Sequence, residues 1–178
     1  MIAAVSALRK YIDVTDGEEE AIHRVERKYP WRITEYYASL MDPVDHSCPI
    51  RRQAVPSVEE LDNRRFGDDD PLSEDANSPV PGVIRVYPDR IAVIVTNRCP
   101  VYCRHCLRKR MAGDRGDDLR GARLSGVIDY VAGDPSIRDI LLTGGDTLML
   151  DDGELDDILG RFRTIKQVKI IRIGQRLP

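Results

Sequence analysis

The sequence predicts an α/β protein made of consecutive parallel βα units, because short apolar runs alternate with helical patterns. The β-branched run IAVIV at 91–95 is typical of a strand buried on both faces. Apolar residues at helical spacing then predict an amphipathic helix over 118–132. A second strand at 140–142, a second helix opened by an acidic capping box at 151–154, and a third strand at 168–173 complete the order.

The first half of the chain has a different character from these βα units. Residues 1–47 show helical patterns, with Asp16 as the expected N-cap of one helix. Residues 48–88 are rich in proline and acidic residues, which favours an ordered wrapping segment or a linker over a regular domain. We therefore predict a helical, proline-rich N-terminal extension over 1–85 and the βα units over 86–178.

The composition excludes several classes of protein. The 178 residues carry a net charge of −3 and are 42% hydrophobic, which fits one globular domain with a small extension. The mild acidity favours neither nucleic acid nor a membrane surface as a partner, and no apolar run approaches the roughly 20 residues of a membrane span. With only four cysteines, we expect no disulfide framework and predict a reducing, cytoplasmic location.

Three of the cysteines follow the first strand at the spacing C-x3-C-x2-C: Cys99, Cys103 and Cys106. Thiolates are soft ligands that select zinc, copper(I) or iron–sulfur clusters. Three thiolates on a cubic four-iron cluster leave one iron open, and this spacing resembles the signature of the radical S-adenosylmethionine (SAM) enzymes. The alternative is a structural zinc site completed by His105 or Cys48, and the motif alone leaves it open.

The second strand also ends in a motif suited to ligand binding, Thr143-Gly144-Gly145-Asp146. Parallel α/β folds place ligands at the carboxyl ends of their strands, and glycine lets backbone approach a ligand closely. The motif lies one βα unit after the cysteines. That is the position of the SAM-amine motif in radical SAM barrels, which the sequence resembles.

A longer set of motifs resembles the lysine 2,3-aminomutase family, over roughly residues 30–178. The motifs are YYASL at 36–40, CPIR at 48–51, NSPVPG at 77–82, YPDR at 87–90, the run from Thr96 to Arg110, and LTGGD at 142–146. The resemblance implies an incomplete (β/α) barrel, a radical SAM partial TIM barrel, behind the N-terminal extension. It also implies a [4Fe-4S] cluster, SAM and pyridoxal 5′-phosphate (PLP) as cofactors, and migration of an amino group from C2 to C3 of an L-amino acid, L-lysine to β-lysine.

The resemblance assigns roles residue by residue, and each arginine assigned could instead form a surface salt bridge. His105 could equally support its loop. The implied assignments are Cys99, Cys103 and Cys106 as cluster ligands; Gly144, Gly145, Asp146 and His105 around SAM; Tyr87 and Arg90 at the PLP phosphate; and Arg108 at the substrate carboxylate.

The sequence departs from the family pattern in side chains and in length. Val86 stands where the family often has arginine, and Leu107 and Met111 replace a commoner threonine and phenylalanine. A complete (β/α)8 barrel takes about 250 residues. Lys109, Lys166 and Lys169 all lack the context of the family's PLP-binding lysine. We therefore expect an N-terminal portion of a longer enzyme, in which no catalytic residue is assigned and which is inactive alone.

The sequence leaves alternatives to a lysine 2,3-aminomutase open. Within the class they are glutamate 2,3-aminomutase and the β-lysine-forming enzyme that serves elongation factor P. From another class the rival is a non-catalytic zinc-binding module. The expected partners are a small amino acid substrate and an external electron donor for the cluster, with no nucleic acid and no membrane, and a homo-oligomer if full length.

Overall fold

The computed structural model describes residues 1–62, 67–113 and 118–175 of an α/β protein. The chain divides into two compact units. The helical unit comprises Met1–Pro71 and Cys99–Ala112, and the sheet unit comprises Leu72–Arg98 and Gly113–Pro178. The division expected at residues 85 and 86, with a proline-rich extension before it, stays a prediction.

Short helices make up the helical unit: α1 (Val5–Leu8), α2 (Asp16–Glu26), α3 (Glu35–Ser39), α4 (Pro49–Ala54) and a 3-10 turn at Val58–Leu61. The cap of α2 is Thr15, so the prediction of Asp16 was wrong by one residue. The Thr15 hydroxyl accepts from the Glu18 N–H at 3.2 Å, and the Glu18 carboxylate accepts from the Thr15 N–H at 3.0 Å. This reciprocal pair fixes the start of the helix because Glu18 lies three residues after Thr15.

The sheet unit contains four strands among its described residues, in the order β1 (Val83–Ile84), β2 (Arg90–Thr96), β3 (Asp139–Gly144) and β4 (Ile170–Ile173). β2, β3 and β4 are mutually parallel, and β1 pairs antiparallel with β2. The helices α5 (Gly121–Gly133) and α6 (Asp152–Arg163) connect the parallel strands. The predicted α/β class is therefore confirmed, and the sheet is compatible with part of a (β/α) barrel.

One core lies between the sheet and its two helices. Alternate residues of β2 and β3 face α5 and α6, as expected for strands whose side chains point to opposite faces in turn. Burial of these side chains is the main favourable contribution to the folding of this unit. The central members of the core are Ile91, Val93, Val95, Ile140, Leu142, Leu124, Val127, Val131, Ile158 and Phe162.

The elements differ from the predicted ones mainly at their ends. The helix predicted over 118–132 begins at Gly121, because Leu119 donates its N–H to the Val95 carbonyl at 2.8 Å instead of entering the helix. The third strand begins at Ile170 rather than at residue 168. β1 was not predicted, since two residues within a proline-rich stretch are too few to show strand periodicity.

The far edge of the described sheet is exposed. Ile170 and Ile173 of β4 are 39% and 43% exposed, and β4 pairs with β3 on one side. Among the helices of the described residues, none combines the length and the apolar character needed to cross a bilayer.

Candidate functional site

The cysteine loop, residues Cys99–Cys106, lies in the helical unit and contains neither helix nor strand. Cys99 and Cys103 are half-buried and Cys106 is exposed. The fourth cysteine, Cys48, is buried and accepts a hydrogen bond from the Asp42 N–H at 3.4 Å. All four cysteines lie in described residues, and none forms a disulfide.

Arg104, between two of the cysteines, anchors this loop. Its side chain is 6% exposed and forms a bidentate pair with Glu60, with Nε and Nη2 at 2.9 and 2.7 Å from the carboxylate oxygens. Its Nη1 donates to the Pro30 carbonyl at 3.0 Å, and its N–H donates to the Gln53 carbonyl at 2.8 Å. A buried ion pair is favourable only when such additional bonds satisfy the charged groups, and here they do.

Glu60 receives a second cation from the same stretch of chain. Lys109 Nζ lies 2.5 Å from Glu60 Oε2, and the Ser57 N–H donates to Glu60 Oε1 at 2.8 Å. Burial alone would raise the pKa of Glu60, but the hydrogen bonds from Arg104 and Lys109 outweigh it and hold that pKa below its usual value. Glu60 therefore ties both ends of the segment from Arg104 to Lys109 to one buried carboxylate.

The remaining anchors, Val101 and Tyr102, lie between the first two cysteines. Val101 and Tyr102 are 3% and 7% exposed, and the Tyr102 N–H donates to the Arg32 carbonyl at 2.9 Å. The Arg32 guanidinium also lies over the Tyr102 ring, 5.4 Å from its centroid. Val101, Tyr102 and Arg104 thus carry the packing of the loop, while the three thiols are less buried.

The donor chemistry of the loop fits an iron–sulfur cluster. It offers three thiols within eight residues, outside any disulfide and at least partly accessible. In the described parts of the chain, no three His, Cys, Asp or Glu side chains meet in the geometry of a single metal ion.

The two other site residues predicted in this region are His105 and Arg108. His105 is exposed and lines a cleft of about 870 Å³ in the helical unit, together with Glu60 and Arg104. Arg108 is half-buried and immediately precedes a 3-10 turn at Lys109–Met111. Their roles toward SAM and a substrate carboxylate stay predictions.

In the sheet unit, the glycine turn, residues Gly144–Asp146, lies against the end of the neighbouring strand. Gly145 donates its N–H to the Thr96 carbonyl at 2.6 Å, and Asp146 donates its N–H to the Arg98 carbonyl at 2.8 Å. Gly144 has φ +135°, and a Cβ there would overlap the Thr96 carbonyl oxygen. A Cβ on Gly145 would overlap the Arg98 backbone in the same way.

This contact explains the glycine pair differently from the sequence argument. The pattern predicted close approach of backbone to a ligand, and the geometry shows close approach of two strand ends. Asp146 is 5% exposed, and its carboxylate accepts from the Leu148 N–H at 3.0 Å, capping a 3-10 turn at Thr147–Met149. The role of these three residues toward SAM stays a prediction.

An ion-pair network around one buried carboxylate, which the sequence did not reveal, holds the end of β2. Asp118 is at its centre, with a side chain 3% exposed. It accepts from the Thr96 hydroxyl at 2.6 Å and pairs with Arg98 at 3.1 Å and Arg120 at 2.7 Å. A single acidic residue at the start of a predicted helix is common because it favours the helix N-terminus, so nothing local indicated this network.

Tyr87 and Arg90, predicted at a PLP phosphate, lie together in the structure. The Arg90 guanidinium lies over the Tyr87 ring, 5.4 Å from its centroid, and Arg90 Nε donates to Asp89 at 3.0 Å. Arg90 begins β2, whereas Thr96, paired with Gly144, ends it. A seven-residue strand is about 20 Å long, so this pair and the glycine turn are at opposite ends of β2.

The chain is similar along nearly its whole length to enzymes named as 2,3-aminomutases, although no family model matches it. It is 44% identical to the L-lysine 2,3-aminomutase of Clostridium subterminale, over 99% of this chain and 42% of that protein. It is 43% identical to the L-lysine 2,3-aminomutase of Bacillus subtilis, over 99% of this chain and 38% of that protein. It is 39% identical to the glutamate 2,3-aminomutase of Clostridioides difficile, over 98% of this chain and 41% of that protein.

These similarities confirm the resemblance that the motifs predicted. The chain spans about two fifths of the length of these curated relatives.

We predict that Glu60→Gln loosens the cysteine loop. The substitution keeps the shape of the side chain but leaves the buried Arg104 without a counter-charge, so the free energy of unfolding should fall by about 2 kcal/mol. Urea unfolding measures this, and labelling of Cys103 and Cys106 by a thiol reagent should become faster. Glu59→Gln, at the exposed neighbouring position, is the matched control and should change neither; equal effects of the two variants would contradict the anchor.

We predict that Gly145→Ala destabilises the sheet unit by about 1–3 kcal/mol, because the added methyl must displace the Arg98 backbone. Gly126→Ala is the control: this glycine lies in α5 with open space at its Cβ position. That change should raise stability by up to about 1 kcal/mol, since alanine is the better helix former. If both variants melt alike, the close approach at Gly145 is wrong.

Proposed function

We propose that this chain forms the cluster-binding and SAM-binding part of a radical SAM 2,3-aminomutase. The observation that carries the proposal is the cysteine loop at C-x3-C-x2-C, followed one βα unit later by the glycine turn, in a chain similar over 99% of its length to 2,3-aminomutases. The fold proposed for the chain is part of a (β/α) barrel, to which the parallel strands β2, β3 and β4 belong.

Cys99, Cys103 and Cys106 are the residues proposed to hold a [4Fe-4S] cluster. Such a cluster, when bound, supplies the electron that cleaves SAM. The anchoring of the loop through Arg104 and Glu60 supports this proposal, since it fixes the backbone between the second and third thiols while leaving the thiols themselves accessible. A reducing cytoplasm would keep the three thiols available for iron, and an external reductant would supply the electron.

The glycine turn is proposed to receive the amino group of SAM. Backbone carbonyls are suitable acceptors for an ammonium group, and such acceptors at the end of a parallel strand lie where α/β folds bind their ligands. Asp146 would add a negative charge beside that group, and His105 is proposed to contact SAM from the cysteine loop. The rigidity of the turn supports the assignment, since binding groups held in place lose little entropy when a ligand arrives.

The residues proposed to bind PLP and the substrate carboxylate are chosen because arginine pairs well with phosphate and carboxylate groups. Tyr87 and Arg90, already stacked, would bind the phosphate of PLP, and Arg108 would pair with the substrate carboxylate, because the guanidinium fork matches both groups. We propose lysine as the amino acid whose amino group moves from C2 to C3. The rivals are a glutamate 2,3-aminomutase and the β-lysine-forming enzyme that serves elongation factor P. No lysine of these 178 residues is proposed to anchor PLP.

The experiment is anaerobic reconstitution of the chain with iron and sulfide, then reduction in the presence of SAM. We expect about four irons per chain, no zinc requirement, and release of 5′-deoxyadenosine and methionine without β-lysine. Replacing Cys99, Cys103 or Cys106 by alanine should each abolish iron binding and SAM cleavage, because each removes a ligand. Iron and sulfide analysis and chromatography of the products measure both.

Cys48→Ala is the matched control for these variants, since Cys48 is a buried thiol with a backbone hydrogen bond of its own. It should keep the iron and the cleavage activity. Loss of the cluster in Cys48→Ala, or one zinc in place of the irons, would contradict the three-thiolate cluster and favour the zinc module.

A further inference from the structure

We propose that Asp118 is a positioning residue for the SAM site: it fixes the strand-end segment, residues Thr96–Arg98, on which the glycine turn rests. This inference rests on the proposed function of the glycine turn. Among the described residues, Asp118 bonds to Thr96, Arg98 and Arg120 and not to the turn, so its effect would pass through the backbone of the strand-end segment.

Asp118 binds two residues of the strand-end segment. One carboxylate oxygen accepts from the Thr96 hydroxyl at 2.6 Å, and the other lies 3.1 Å from Arg98 Nη2. Arg120 adds a second guanidinium at 2.7 Å. With its side chain 3% exposed, the carboxylate has little water to solvate it, so these partners must satisfy its charge and they hold it in one position.

β2 is irregular just before the strand-end segment. The pairing of β2 with β3 passes from Ile94 opposite Thr143 to Thr96 opposite Gly144, so one residue of β2 is extra there. A bulge of this kind bends a strand and needs support, because the ladder of backbone bonds is interrupted. The Thr96 hydroxyl supplies part of it, accepting from the Arg98 N–H at 3.1 Å while donating to Asp118.

Two backbone hydrogen bonds join the strand-end segment to the glycine turn. The carbonyls of Thr96 and Arg98 accept the N–H groups of Gly145 and Asp146 at 2.6 and 2.8 Å. The same two residues therefore bind Asp118 through their side chains and the turn through their backbone. Movement of the segment away from Asp118 would move the acceptors that hold the turn.

The geometry also argues against a purely stabilising role. A buried ion network adds little stability compared with apolar side chains of the same volume, so stability alone does not explain an acid with two arginines at this place. Glu154 extends the network toward α6, with an oxygen 3.7 Å from Arg120 and another 3.9 Å from Arg98. The network thus ties the end of β2 to the start of α6.

The test is Asp118→Asn in the 178-residue chain, compared with Asp139→Asn. Asp139 is the matched control: its side chain is 8% exposed and pairs with Arg172 at 3.0 Å, but it stands at the opposite end of β3. Asp118→Asn should speed amide hydrogen exchange at residues 144–146 and weaken SAM binding to the reconstituted chain about tenfold, as loss of an outer hydrogen-bond partner does at other sites. Asp139→Asn should leave both unchanged.

Thr96→Val and Thr96→Ser keep the proposal falsifiable if Asp118→Asn does not fold. Valine removes the hydroxyl at constant volume and should speed exchange at 144–146, while serine keeps the hydroxyl and should restore the wild-type exchange and SAM affinity. Exchange and affinity that are unchanged in Asp118→Asn or Thr96→Val, or changed equally in Asp139→Asn, would overturn the positioning role. Failure of the wild type to bind SAM would instead refute the proposed function, and the exchange rates would still decide whether Asp118 positions the turn.

Discussion

The close approach of two strand ends is the constraint on which the position of the glycine turn depends. The end of β2 and the turn after β3 come so near each other that a Cβ fits at neither Gly144 nor Gly145. The backbone bonds that join them fix the turn in one position. Any group that binds at this turn would therefore meet a rigid surface rather than a flexible loop, which reduces the entropy lost on binding.

The cysteine loop follows the same design with different chemistry. Its backbone runs without helix or strand, so it needs side chains to hold it, and Arg104 with Glu60 provides a buried, fully hydrogen-bonded pair for that purpose. Apolar anchors at Val101 and Tyr102 add packing. At the cysteine loop and at the glycine turn alike, a buried carboxylate with its cations holds irregular backbone where regular hydrogen bonding is interrupted. The residues proposed to bind cofactors are carried by that backbone.

The sequence was sufficient for features encoded locally. The apolar runs at 91–95 and 140–142 mark β2 and β3, and the capping box from Asp151 to Glu154 marks the start of α6. The networks of Asp118 and Glu60 were not predictable, because their partners lie 22 and 44 residues away along the chain. The sequence predicted that another group comes close to the backbone of the glycine pair. A pattern of residue types does not show whether that group is a ligand or, as the structure has it, the backbone of the neighbouring strand.

The central claim is that three cysteines of one loop hold a four-iron cluster whose fourth iron is open to SAM. Mössbauer spectroscopy of the chain reconstituted with ⁵⁷Fe, recorded before and after SAM is added, tests it most directly. The account predicts that one iron in four changes its isomer shift when SAM binds, while the three cysteine-bound irons do not. A spectrum of four equivalent irons that SAM leaves unchanged would contradict the claim.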